Sequence, residues 1–283
     1  MRDDDGSGNR LGSYLRARRE LVSPERAGLP PGGNRRVPGL RREEVALLAG
    51  ISPDYYLRLE RGRDRNPSPQ VLESLARVLH LDEVERTYLL GLAAARPRAP
   101  RRKRPEQVPA RVHQLLAHLT VPAFVEGRAF DVLAANPLAT ALSPRLRPGL
   151  NRLRSLLLDP EERAFHQDWD RAAADSVAAL RATVGDDTDD PRFVELVGEL
   201  ALSSGHFRTL WARHDVRPLG GGTATVHHPV VGDLHLHRDK LPVDDVILVV
   251  YYPDKDSDSD EKLRLLAALA HDGPVDGPLP RTP

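Results

Sequence analysis

Along the first hundred residues apolar side chains recur three and four positions apart, the spacing that lays one stripe along an α-helix. Leu11 and Leu15 mark a first helix over Arg10 to Glu20, with Arg16, Arg18 and Arg19 mostly off the apolar side. Pro24, Pro30, Pro31, Gly32, Gly33 and Pro38 then break any helix across 22–39, leaving a long loop that Arg35 and Arg36 make basic. From Leu40 to Gly62 the run LRREEVALLAGISPDYYLRLERG predicts two short helices that face each other, the first through Val45, Leu48 and Ala49, the second through Tyr56 and Leu59. Gly50 tolerates positive φ between them, Ser52 caps the second helix, and Pro53 takes the first helical position, where a missing N–H costs nothing. Ser68-Pro69 starts a fourth helix with Leu72, Leu75, Ala76 and Leu79 on one face, and Leu81-Asp82 starts a fifth carrying Tyr88 and Leu92.

The pattern changes after residue 95. The stretch RPRAPRRKR, residues 96–104, has no apolar side chain larger than alanine or proline and marks a linker. A helix bearing Val112, Leu115, Leu116 and Leu119 follows, and then two strands, Phe124-Val125 and Phe130 to Ala134, around a Glu126-Gly127-Arg128 turn. Asp159-Pro160-Glu161-Glu162 is a strong helix start that Phe165, Trp169, Ala173, Val177 and Leu180 continue at helical spacing, and Asp190-Pro191 and Ser204-Gly205 start two more helices. Three strands come next, Thr223 to His228, Asp233 to His237 and Val246 to Tyr252, before a closing helix from Glu261 to His271. The last strand is apolar on both faces, so it belongs in the buried middle of a sheet. The chain therefore predicts a multi-domain protein: an all-α domain of five helices, then an α+β domain with one antiparallel sheet. The expected extents are a disordered 1–9, a helical domain over 10–95, a basic linker over 96–107, the α+β domain over 108–272 and a flexible tail over 273–283.

Charge sharpens that division. The formal net charge is zero, but residues 1–104 hold 22 Lys+Arg against 14 Asp+Glu, while the remainder holds 19 against 27. A module of charge +8 joined to one of −8 suits a polyanion partner for the first half and another task for the second. With no cysteine in the chain, disulfides, thiolate metal sites and a cysteine nucleophile are excluded. No apolar run approaches the roughly 18 residues of a membrane span, so we expect a soluble cytoplasmic protein without membrane insertion.

Within the basic module the second short helix starts sharply and carries Tyr55, Arg58 and Arg61 away from its buried side, which is the outline of a DNA-recognition helix. Ser52, Pro53, Asp54 and Tyr55 would form the tip that enters the major groove, with Arg58 one turn later as the candidate for bidentate guanine contact. Asp54 would accept from a cytosine amine or pair with a nearby arginine, and Glu60 would partner a basic side chain inside the domain. Arg41 and Arg42 at a helix start, Arg35 and Arg36 in the loop, and Arg61, Arg63 and Arg65 beyond the recognition helix are candidates for phosphate.

These residues are recognisable as a set. Residues 10–94, with PGGNRR before VPGLRREEVALLAGISPDYYLRLERGRDRNPS, resemble the helix-turn-helix domain of the XRE, lambda-repressor-like regulators. Residues 108–270 resemble the MmyB-type ligand-binding domain, a PAS-like fold, through LLDPEER, DPRFVELVGEL, the run from Trp211 to Val216, His228-Pro229 and the closing Val249-Val250-Tyr251. The resemblance implies a transcriptional regulator that binds double-stranded operator DNA as a homodimer, with no cofactor and with a sensor domain for a hydrophobic, fatty-acid-like small molecule.

In the second domain Phe124, Phe130, Val132, Trp169, Phe207 and Trp211 are the material of an apolar pocket and equally of a core. His227, His228, His235 and His237 raise a metal site against the plainer reading of exposed strand histidines, and no metal is assigned. There is no G-x-S-x-G, phosphate-binding glycine loop or H-E-x-x-H, so no catalytic residue is assigned and an enzyme is not expected. A protein-interaction or dimerisation module without a small ligand stays open for this domain.

Overall fold

The computed structural model describes residues 9–30, 39–64, 66–94, 106–184, 190–217 and 220–272. In chain order the elements are α1 Arg10–Leu21, α2 Arg42–Ala49, α3 Pro53–Glu60, α4 Pro69–Val78, α5 Glu83–Ala93 and α6 Ala110–His118, followed by strands β1 Ala123–Glu126 and β2 Val132–Ala135. The chain continues through α7 Pro137–Leu142, α8 Arg152–Leu158, α9 Pro160–Phe165, α10 Trp169–Val184, α11 Pro191–Ser203 and α12 Gly205–Ala212. It closes with β3 Gly222–His228, β4 Gly232–Val243, β5 Val246–Tyr252 and α13 Asp258–Asp272. An all-α helix-turn-helix region is thus followed by an α+β fold with one antiparallel sheet, the PAS-like class.

Two compact units emerge, and neither is a continuous stretch. The first joins Met1–Arg102 to Ala174–Pro218, and the second joins Lys103–Ala173 to Leu219–Pro283. Residues 108–272, expected as one domain, are therefore shared between the units, and α10 supplies its first residues to one and the rest to the other.

In the first unit local chemistry starts several of the helices. Ser68 accepts a hydrogen bond from the Val71 amide, and Asp82 and Glu85 bond each other's backbone N–H reciprocally at 2.8 and 3.0 Å. The core gathers Leu11, Tyr14, Leu15, Leu40, Val45, Tyr56, Leu59, Leu75 and Leu89, and Val216 from the distant segment is part of it.

In the second unit the sheet runs β2-β1-β5-β4-β3, every neighbour antiparallel. The strand apolar on both faces, β5, lies in the middle as its sequence requires. Its Ile247, Val249 and Tyr251 pack with Phe124, Leu234 and Leu236 against Leu138 of α7 and Leu263 of α13. Its Val246 and Leu248 pack on the other face with Val125 against Val112 and Leu116 of α6. Buried Asn136 fixes the entry to this sheet, accepting from the Ala123 and Ala139 amides and donating to the Leu119 and Val121 carbonyls.

Two elements break where the sequence reading continues them, and α7 and α8 were not read from the sequence. The helix expected to run unbroken from Asp159 through Leu180 is interrupted, because His166 bridges to Val226 and the Gln167 amide donates to the Thr225 carbonyl at 3.1 Å. Phe130, expected in a strand, has φ 65°, and β2 begins only at Val132.

Candidate nucleic-acid interface

The turn between α2 and α3 is built by three residues. Gly50 sits at φ 71° with ψ 31°, a left-handed conformation that closes α2, and the Ile51 amide donates back to the Ala46 carbonyl at 2.9 Å. Ser52 Oγ accepts from the Tyr55 amide at 3.1 Å, and Pro53 opens α3. The inner face of α2 is Val45 and Ala46, whereas Leu48, expected inside, is 39% exposed. With both α3 and α4 against it, the buried arc of α2 centres on Val45-Ala46 and leaves Leu48 outside.

Away from that core α3 presents a polar edge. Ser52, Pro53, Asp54 and Arg58 are exposed and Tyr55 is half-buried. The Arg58 guanidinium lies 5.4 Å from the centre of the Tyr55 ring, so the aromatic face restricts a flexible cation on the outer side of the helix. Burial, with Asp64 nearby, pushes the Tyr55 phenol up and keeps it a neutral hydroxyl. Past the helix, Gly62 turns at φ 64° and the Arg63 amide donates to the Arg58 carbonyl at 2.9 Å, which sets Arg61 and Arg63 on an exposed loop. Arg41 and Arg42 are exposed where α2 begins, and Glu44 accepts from the Arg41 amide at 2.7 Å. Arg35, Arg36 and Arg65 lie outside the described residues.

Glu60, the last residue of α3, ties this surface to the rest of the unit. Its carboxylate accepts from Arg19 Nε of α1 at 2.7 Å and from Arg42 Nε of α2, and Asn9 donates to its carbonyl at 2.8 Å. The intradomain role expected for Glu60 is thus filled by two arginines. Arg42 has a side chain 46% exposed and reaches the surface already oriented by that carboxylate. A Cβ on Gly12 would stand 2.2 Å from the Glu60 carbonyl oxygen, so only glycine lets α1 cross α3 this closely.

The first unit also holds Phe207 and Trp211 of α12. Their rings stack at 5.4 Å, and buried Arg181 lies 3.8 Å from the centre of the Trp211 ring while donating to the Trp211 carbonyl. Burial pulls the Arg181 guanidinium below its ordinary value. The Arg181 guanidinium stands 3.3 Å from His214 Nδ1, which can only accept there, and burial together with Arg181 and Arg18 lowers the His214 imidazole to about 4.

The other candidates for a pocket lie in the second unit, all buried. Phe124 stacks with Tyr251 at 6.4 Å under the Arg152 guanidinium, and Lys240 Nζ lies 5.1 Å from the centre of the Phe130 ring. Val132 is in the same core as Phe124, and Trp169 Nε1 donates to the Leu156 carbonyl at 2.7 Å. Beside them Glu126 is paired with Arg152 at 2.8 Å and with Lys240, all three side chains nearly sealed from solvent. Burial would lift the Glu126 carboxyl, but the two cations outweigh it and hold it below its ordinary value; burial lowers Lys240 to about 8. Nothing in the one-dimensional pattern singled out this triad, because its members come from β1, α8 and β4.

The histidines of β3 and β4 are each bonded separately. His227 meets Asp233 at 2.6 Å, His237 meets Asp254 at 2.9 Å, His235 meets Thr225 at 3.1 Å, and buried His228 meets the Ala141 carbonyl at 3.0 Å. Among the described residues no group of three or more His, Asp or Glu could hold a metal ion, and no helix is long and apolar enough to cross a membrane.

A capped, glycine-turned helix pair with an arginine-lined outer edge is the helix-turn-helix of a DNA-binding regulator, and residues 10–89 match the family model of a helix-turn-helix domain. Residues 108–266, more than half the chain, match the model described as MmyB-like transcription regulator ligand binding domain, and the chain belongs to that family. It is a regulator with a DNA-binding region fused to a C-terminal MmyB-like sensor domain. No curated protein matches the chain.

Proposed function

We propose that the protein works as a homodimer on a two-fold operator, inserting α3 of each protomer into successive major grooves. The observation that carries this reading is Arg58, exposed on the outer edge of α3 and restrained by Tyr55, with Arg41 and Arg42 at one end of the motif and Arg61 and Arg63 at the other. In that pose Ser52, Pro53, Asp54 and Tyr55 meet base edges, and Arg58 is the guanine reader, a contact worth about 1–3 kcal/mol. The terminal arginines take phosphates, joined by Arg35, Arg36 and Arg65. Asp54, exposed at the helix tip, accepts from a cytosine amine or pairs with a nearby arginine.

A titration of duplex DNA against salt tests this directly. If Arg35, Arg36, Arg41, Arg42, Arg61, Arg63 and Arg65 each neutralise one phosphate in both protomers, log affinity falls against log salt with a slope of about −13. A slope near zero would remove the phosphate roles.

We further propose that the sensor domain, residues 108–272, takes an elongated hydrophobic, acyl-type molecule, with the linker over 96–107 joining it to a DNA-binding domain over 10–95. Apolar side chains support an apolar occupant within a unit: Phe124, Phe130, Val132 and Trp169 lie in one, and Phe207 and Trp211 lie in the other. Mass spectrometry of the purified full chain should find a co-purified acyl compound, and adding that compound should change operator affinity by roughly 5- to 150-fold. The second reading is an interaction and dimerisation module without a ligand, favoured by the tight engagement of Phe124 and Trp169 with their neighbours. It takes precedence if no acyl compound co-purifies or shifts the melting temperature.

A further inference from the structure

The DNA-binding core contains a residue that the family match assigns to the ligand-binding domain. Val216, within the matched segment 108–266, is 3% exposed and joins the cluster of Leu11, Tyr14, Leu15 and Leu89. Its neighbours fasten it. Asp215 accepts from Arg18 of α1 at 3.1 Å, and Arg18 is paired at the same time with Glu85 of α5. His214 stands edge-on to Tyr14 at 6.4 Å, and Tyr14 hydroxyl donates to the Glu85 carbonyl at 3.3 Å. The same short segment is tied back to α10, where the Arg217 amide donates to the Ala178 carbonyl and the Arg217 side chain pairs with Asp175, both at 3.3 Å.

Successive residues of α1 divide the work. Arg18 faces Asp215, and Arg19, about 100° further round the helix, faces Glu60 at the end of α3. The recognition helix and the ligand-binding segment are thus held by adjacent side chains of one helix, which is also where Gly12 touches the Glu60 backbone. We propose that residues 214–217 form an intramolecular clasp through which the ligand-binding domain governs DNA binding: engaged, it keeps α1, and through Arg19 and Glu60 also α3, in DNA-competent order; released, it loosens both. The contact buries an apolar side chain and closes an ion pair across 197 positions of sequence. It needs no ligand of particular chemistry, only that one state of that domain favours the clasp over another.

The test uses the full chain. Asp215→Asn weakens the partly exposed pair with Arg18, and with it the pair to Arg213 at 3.0 Å, without disturbing the core, and Val216→Ala weakens the apolar anchor. Hydrogen exchange of the α1 and α3 amides is measured beside the affinity for a duplex selected from a random pool by the wild-type protein. Asp215→Asn should speed exchange in both helices and weaken the duplex about tenfold, the value of one charge-assisted hydrogen bond, while β1–β5 exchange as before. In an Arg18→Gln background the same substitution should add little to either readout, since only the exposed pair with Arg213 is then left to lose. Unchanged α1 and α3 exchange overturns the clasp, as does faster exchange with unchanged affinity, which would mark a purely structural contact. A rise in affinity overturns the direction. If no duplex is enriched at all, the operator reading fails, and the exchange measurement still decides the clasp.

Discussion

Replacing Glu60 by alanine should cripple the DNA-binding region, even though Glu60 touches no proposed base or phosphate. The carboxylate side chain is 2% exposed and its partner Arg19 is 5% exposed, so the pair is effectively out of water. Alanine leaves the buried Arg19 guanidinium, among the described residues, with the Leu40 carbonyl at 2.8 Å and the half-exposed Glu20 carboxylate at 3.6 Å, and releases Arg42. Breaking a buried pair this way costs about 3–5 kcal/mol, a large share of the roughly 5–15 kcal/mol that holds an ordinary domain together. Urea unfolding of the full chain by circular dichroism, with hydrogen exchange of α1, α2 and α3, reads the loss. The double substitution Arg19→Met with Glu60→Leu should recover most of it, because an apolar pair of similar volume replaces a buried ion pair at little net cost. A Glu60→Ala protein within about 1 kcal/mol of wild type would refute the reasoning, since no uncompensated charge could then be buried there.

Other substitutions probe separate links. Gly12→Ala should destabilise the same unit by about 1–3 kcal/mol, read by thermal melting, because its new methyl group meets the Glu60 backbone, which cannot swing away, as well as the Asn9 side chain. The His214 imidazole has its ordinary value of 6.5 when unfolded and about 4 when folded, so the unfolded chain takes up the proton first. Its stabilising contribution is whole above pH 6.5 and drains away as the pH falls towards 4, by about 3 kcal/mol. His214→Asn, which keeps the left-handed backbone at φ 55°, should flatten that fall in melting temperature. Arg42→Ala should weaken all duplexes alike in a binding titration and also lower stability through Glu60. A changed base preference there would contradict its assignment to the backbone.

What the sequence made legible was chiefly local. The turn at Gly50, Ser52 and Pro53 is specified by backbone conformation and one cap, so its residues can be read in order, and the same holds for Ser68 and Asp82. Strand β5 was legible because burial on both faces leaves a continuous apolar run. Tertiary contacts decided the rest. Helical periodicity carries straight through His166, yet pairing with Val226 some sixty positions later breaks the helix there. Strand β4 extends to Val243 beyond the expected His237 because Arg238 to Val243 find partners on β5. The Glu126, Arg152 and Lys240 triad and the Arg18 to Asp215 contact join residues far apart in the chain, and no spacing rule connects them. For that reason the candidate DNA surface, most of which lies in one stretch of 23 residues from Leu40 to Gly62, was readable. The division of 174–218 from the rest of its family segment was not.

Parallel selection of duplexes from a random pool by the full chain and by its Arg58→Ala variant tests the central claim most directly. The account predicts that the wild-type protein enriches a pseudo-palindrome whose half-sites lie about one helical turn apart, and that the variant loses discrimination at a single guanine in each half-site while keeping the rest of the motif. Enrichment of the same motif by both proteins, or of no motif by the wild type, would contradict it.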